Sequence, residues 1–166
     1  MAWQIPCSVD QKIILGYEII SSILTDGRNS ILKRSLREDK QIVESIISWI
    51  QTGEFGSLFI IEASLERENL KKVEDIINNL LQNLLTNSNF NNKIKNAIRI
   101  VKSNYIFNLE TSSQLSRFYG NHLLWGRLNP QIELSKNFKY WENTENLKKL
   151  IKLLLQEKFT FIVHKI

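Results

Sequence analysis

Two adjacent segments, IVESIISWIQ (42–51) and GSLFIIEASL (56–65), constrain this chain more than any other feature. Both are dense in Ile, Val, Phe and Trp, whose branched or aromatic side chains suit a pleated, half-buried surface. The intervening TGEFG supplies a turn, so the pair predicts a β-hairpin. The rest of the chain has to be arranged around it.

On the N-terminal side, AWQIPC alternates Trp3 and Ile5 with polar neighbours and stops at Pro6, which suits a short edge strand. Asp10 then caps a predicted helix with Ile13, Ile14, Tyr17, Ile20, Ile23 and Leu24 at three- and four-residue spacing. TDGRN ends it, and Ser30 is placed as the cap of a shorter helix through ILKRSLRE. From Asn69 to Gln156 the pattern is helical. Five pieces are separated by Asn/Ser-rich turns and by Asn129-Pro130, and the last segment, KFTFIVHKI, reads as a closing strand. With only 6 Gly and 2 Pro, few breaks are available and long regular elements should dominate. The expected order is β-α-α-β-β-α-α-α-α-α-β. That is an α+β, split βαβ-type domain of two layers, a four-stranded, mainly antiparallel sheet with helices on one face. No linker or internal repeat divides residues 1–166, so one domain is expected.

Composition narrows function mostly by exclusion. The formal charge of +5 (22 Lys and Arg against 17 Asp and Glu) is basic but short of a dedicated nucleic-acid binder's loading. Cys7 is alone, which rules out an internal disulfide, and His122 and His164 are too few for a three-histidine zinc site. Each histidine lacks a second ligand three or four residues away, and Cys7 is expected to be a buried, inert thiol. No phosphate loop, dinucleotide turn or nucleophile elbow is present. The lysines of LKKLIKLLLQEK form the solvated side of a helix whose buried stripe is Leu147, Leu150, Ile151 and Leu154. Phe118, Tyr119 and Trp125 are better explained by helix packing than by base stacking. No signal peptide or apolar span is seen, so the expected location is the cytoplasm or an organelle interior, with no membrane and no nucleic-acid partner.

The stretch SILTDGRNSILKRSLREDKQIVESIISWIQTGEFGSLFIIEASL resembles the non-zinc, C-terminal-type domain of the pitrilysin/insulinase-type zinc peptidases, the inverzincins. The residues that carry the likeness are Gly27, Ser30, Leu32, Leu36, Arg37, Glu38 and Gly56. They fit a Gly-containing turn, a Ser-x-Leu-x-x-x-Leu-Arg-Glu helix and a hairpin interrupted by Gly. The later helices and the closing strand are similar in pattern.

The resemblance implies a division of labour. A homologous domain carries H-x-x-E-H and holds zinc and a general base, a motif absent here. Domains of this fold complete a clamshell in which an extended peptide substrate adds to a strand edge. In active members the domain like this one supplies an Arg after the Leu of the helix and a Tyr seven residues later. Both steady the substrate and the developing oxyanion. Arg37 matches the Arg and is the one implied substrate-binding residue, against the plainer role of a cation near a helix C-terminus. Glu44 stands where the Tyr belongs, and an ionised carboxylate has no proton to donate. Either the register shifts by a residue or two, or the parent uses another donor, or it is a non-catalytic partner.

The expected function is a non-catalytic domain of a zinc metallopeptidase, part of a larger chain, that helps enclose extended peptides. The alternative is a stand-alone partner subunit of a zinc-bearing peptidase. Neither gives this chain a catalytic residue or a cofactor of its own, and zinc is expected in the parent or partner.

Overall fold

A computed structural model describes residues 1–27, 30–86, 89–124, 126 and 128–156. The predicted hairpin forms β2 (Ser45–Gln51) and β3 (Ser57–Ser64), antiparallel, with Trp49 opposite Ile60. The first segment forms β1 (Ala2–Ile5), which joins the other side of β3 with Trp3 opposite Phe59. The spatial order is β1-β3-β2, antiparallel throughout. Among the described residues the sheet therefore has three strands, not the four expected. The strand placed at KFTFIVHKI lies outside the described residues.

The helices are α1 (Gln11–Thr25), α2 (Leu70–Thr86), α3 (Phe90–Phe107), α4 (Ser112–Leu124), α5 (Pro130–Trp141) and α6 (Thr144–Leu154). Asp10 caps α1 as its sequence position suggests, accepting from the Ile13 N–H at 3.3 Å. Ser30 does not cap the next helix with its side chain. Its hydroxyl donates instead to the Gly27 carbonyl at 2.9 Å, while its carbonyl accepts from Arg34 N–H. Residues Lys33–Asp39 are wound as a π-helix. That segment closes through Ile42 N–H on Leu36 C=O, with Gln41 at φ 51° making the reversal.

One sheet face carries Trp3, Ile5, Ile46, Phe59 and Ile61, all buried. It packs on α1, with Phe59 between Trp3 and Tyr17 at ring-centroid distances of 5.8 and 5.6 Å. Alternation along paired strands sends every second side chain to the other face. Helix α1 is buried on both sides, because Leu15 and Ile19 join the stripe read from the sequence. Its far side packs on α3, α5 and α6, so the helical layer over the sheet is two helices deep. Gly16 permits the closeness: a Cβ there would lie 2.6 Å from both Leu150 Cδ1 and Trp141 Cζ2. Two indole N–H groups fasten the layers, Trp3 to the Leu154 carbonyl (2.8 Å) and Trp141 to the Lys12 carbonyl (2.7 Å). The stripe Leu147, Leu150, Ile151 and Leu154 of α6 is buried, as its spacing predicts.

Candidate functional site

Residues around the sheet are where function would have to be built, because the face opposite α1 is not packed into the core. Strand alternation places Gln4, Ile47, Trp49, Leu58, Ile60 and Glu62 on that face. Ile47 and Trp49 are exposed, while Leu58 and Ile60 are half-buried. The result is an apolar strip across β2 and β3 with polar ends at Gln4 and Glu62.

No described strand pairs with the outer edge of β2, and that edge is closed at its centre. Ser48 N–H donates to Thr25 Oγ1 at 3.0 Å, and Ser21 Oγ donates to Ser48 C=O at 2.9 Å. The Ser48 hydroxyl lies 2.8 Å from Ser21 Oγ and 2.7 Å from Thr25 Oγ1. A peptide adding as a strand along β2 needs that N–H and carbonyl. Side chains of α1 already satisfy both, so the open face is more accessible to a peptide than this edge.

Arg37 sits in the last turn of the π-helix, exposed, and makes no hydrogen bond or ion pair with another described residue. Glu44 precedes β2 and is tied to β3: its N–H donates to the Ser64 carbonyl at 2.8 Å, and Ser64 Oγ donates to Glu44 Oε2 at 2.9 Å. Its carboxylate accepts a hydrogen bond from the hydroxyl beside it and ties the start of β2 to β3.

A pair that sequence reasoning missed stands between α1 and α3. Tyr105 OH donates to Glu18 Oε2 at 2.9 Å beside a cavity of about 380 Å³, whose lining also includes Ser21, Trp49 and Asn104. Burial pushes the Glu18 carboxyl up to about 7 against the lowering effect of the Tyr105 hydrogen bond. Burial first, then the Glu18 charge and hydrogen bond, raise the Tyr105 hydroxyl well above its ordinary value. The two lie 87 residues apart in sequence, and no local pattern marks either.

The remaining expected residues are placed as follows. Cys7 is free and half-buried, less covered than expected. His122 is buried against Phe118, with ring centroids 4.5 Å apart, and Phe118 stacks edge-on to Tyr119 at 5.5 Å. His164 and Trp125 lie outside the described residues. Among the described residues no three His, Cys, Asp or Glu converge on a point that could hold a metal ion. The described residues do not fit a zinc centre. No described helix is long and apolar enough to cross a membrane.

Comparison with known proteins adds three solved structures of the same fold. A protease from Helicobacter pylori superposes with a TM-score of 0.71 at 18% identity, covering 91% of this chain and 36% of that one. A peptidase M16 inactive domain from Pseudomonas fluorescens gives 0.73 at 14% identity, covering 90% and 36%. The inactive peptidase domain of a zinc-protease candidate from Bordetella parapertussis gives 0.66 at 9% identity, covering 93% and 81%. The chain thus spans about a third of the first two structures. At these identities the likeness shows the fold alone. No curated protein matches the chain by sequence. A family model described as the peptidase M16 inactive domain matches residues 1–99, a stretch that includes the Ser-x-Leu-x-x-x-Leu-Arg-Glu helix. More than half of the chain falls under that model, and the protein belongs to the peptidase M16 inactive-domain family.

Proposed function

We propose that this chain is a non-catalytic wall of a zinc peptidase. It pairs with a homologous domain that carries H-x-x-E-H and zinc, and it holds extended peptides against its open sheet face. The observation that carries the reading is the apolar strip of exposed Ile47 and Trp49 and half-buried Leu58 and Ile60, on a chain whose described residues offer no metal-binding group. Apolar side chains on an open antiparallel face offer contact to alternate residues of an extended peptide. Arg37, exposed and without a described partner, is the residue proposed to reach the substrate backbone. The reaction itself belongs to the zinc-bearing domain, and no step of it is assigned to this chain.

Glu44 supports a second reading. With a carboxylate hydrogen-bonded to Ser64 where the family's Tyr belongs, the chain serves as a partner subunit that assembles with the zinc-bearing subunit without contributing to the chemistry. Reconstitution tests both. The zinc-bearing domain encoded with this chain is assayed on an unstructured peptide, alone and with the chain added. Turnover that rises on addition, and is reduced by Trp49→Ala, supports the wall. Turnover that rises but ignores Trp49→Ala supports the partner subunit. No effect of addition refutes both.

A further inference from the structure

Helix α4 is the one helix that makes no extensive contact with any other described element. Hydrophobic side chains nevertheless crowd it and its flanks. Of thirteen exposed large apolar side chains among the described residues, seven fall between Ile106 and Ile132. Leu124 and Leu128 are 84% and 78% exposed, with Phe107, Leu115 and Leu123 nearby in the chain. Scattered exposed leucines need no explanation, but such a concentration on one segment does.

We infer that α4 and its two flanks form the surface through which this chain docks on the zinc-bearing peptidase domain. The inference rests on the pairing proposed above and names its contact surface. Three observations favour that occupant. First, the segment is poor in charged residue types: only Glu110, Arg117 and Arg127 occur between Ile106 and Ile132, against 23% of the whole chain. Depletion of charge with retention of large apolar residues is the composition of a protein–protein interface core. A membrane-surface helix instead carries a lysine- and arginine-rich polar face, and nucleic acid needs clustered cations. Second, the seven side chains are each between 37% and 84% exposed, so the apolar surface they offer is of the kind that one side of a stable interface buries. Third, this fold makes up 36% of each of two longer solved chains, so the relatives have further chain available to cover such a surface. The helices α1, α3, α5 and α6 pack on one another without α4, so no described helix uses its surface extensively.

The test uses the full chain and the H-x-x-E-H domain encoded in the same gene or beside it, with association followed by calorimetry and by light scattering after size exclusion. The Leu123→Asp/Leu124→Asp variant alters exposed positions and should keep the wild-type far-ultraviolet spectrum and melting temperature. It should weaken association at least about tenfold, because burying a charge at an interface core is strongly unfavourable. Leu128→Asp should act in the same direction. Leu153→Asp, exposed on α6 and outside this surface, should bind as the wild type does. If the wild type pairs and all three variants pair equally well, the α4 surface is overturned while the pairing stands. If the wild type does not pair at all, the pairing reading itself falls. If the chain instead forms a dimer that Leu123→Asp/Leu124→Asp dissolves, the surface belongs to a second copy and the assigned occupant is wrong.

Discussion

Tyr105 at the end of α3 donates its hydroxyl to Glu18 in the middle of α1, 2.9 Å away, and joins the two helices through a carboxyl that burial brings near neutrality. A carboxyl raised from 4.5 to about 7 favours the fold most when protonated. Its contribution is fully present below about pH 4.5 and is lost as the pH rises through about 7. With allowance for partial exposure, the loss should be about 2 kcal/mol. Melting temperature measured from pH 4 to 8 should fall for the wild type and stay flatter for Glu18→Gln. Tyr105→Phe removes the hydrogen bond that favours the carboxylate and should steepen the fall. Equal profiles for wild type and Glu18→Gln would remove Glu18 from this role.

Gly16 should be intolerant of any side chain. Alanine has the better helix propensity by about 1 kcal/mol. The added Cβ would meet Leu150 and Trp141 at 2.6 Å, however, and overpacking of this kind costs about 1–3 kcal/mol. Gly16→Ala should therefore lower stability in urea, whereas Gly120→Ala on α4, with nothing within 4 Å, should raise it by up to about 1 kcal/mol.

Thr25→Val removes the acceptor of Ser48 N–H at the centre of the β2 edge, while Ser21 still holds the Ser48 carbonyl. The loss should be about 1–2 kcal/mol. An opened edge also invites strand-to-strand association. Light scattering on warming should rise earlier for Thr25→Val, and earlier still with Ser21→Ala added. A variant that melts earlier but stays monodisperse would show that the edge is protected by something other than these hydroxyls.

In the complete, zinc-bearing assembly, Arg37→Ala should lower peptide turnover by about ten- to a hundredfold, if the guanidinium meets the substrate as proposed. Zinc content should not change. In the chain alone the same substitution should shift stability by less than about 0.5 kcal/mol, as befits an exposed residue without a described partner. Unaltered turnover would leave Arg37 as a helix-terminal cation only.

Local chemistry was enough for the sequence to mark most of the described elements of this protein. Alternation marked β1, a density of branched and aromatic residues marked the β2–β3 hairpin, and three- and four-residue spacing marked α1 and the buried stripe of α6. These patterns are legible because each depends on neighbours a few residues away. The likeness carried by Ser30, Leu36 and Arg37 was legible for the same reason, and it led to the family. Two local partners can also compete: the Ser30 hydroxyl turns back to Gly27, three residues away, instead of capping the helix that follows. Only the tertiary structure decided that α1 is buried on both sides and that Thr25 and Ser21 close the edge at Ser48. The same holds for Tyr105 reaching Glu18 and for α4 standing apart from the packed helices. Each joins, or fails to join, elements far apart in the chain. Such contacts depend on which faces meet once the core closes, and spacing along a single segment carries no record of that.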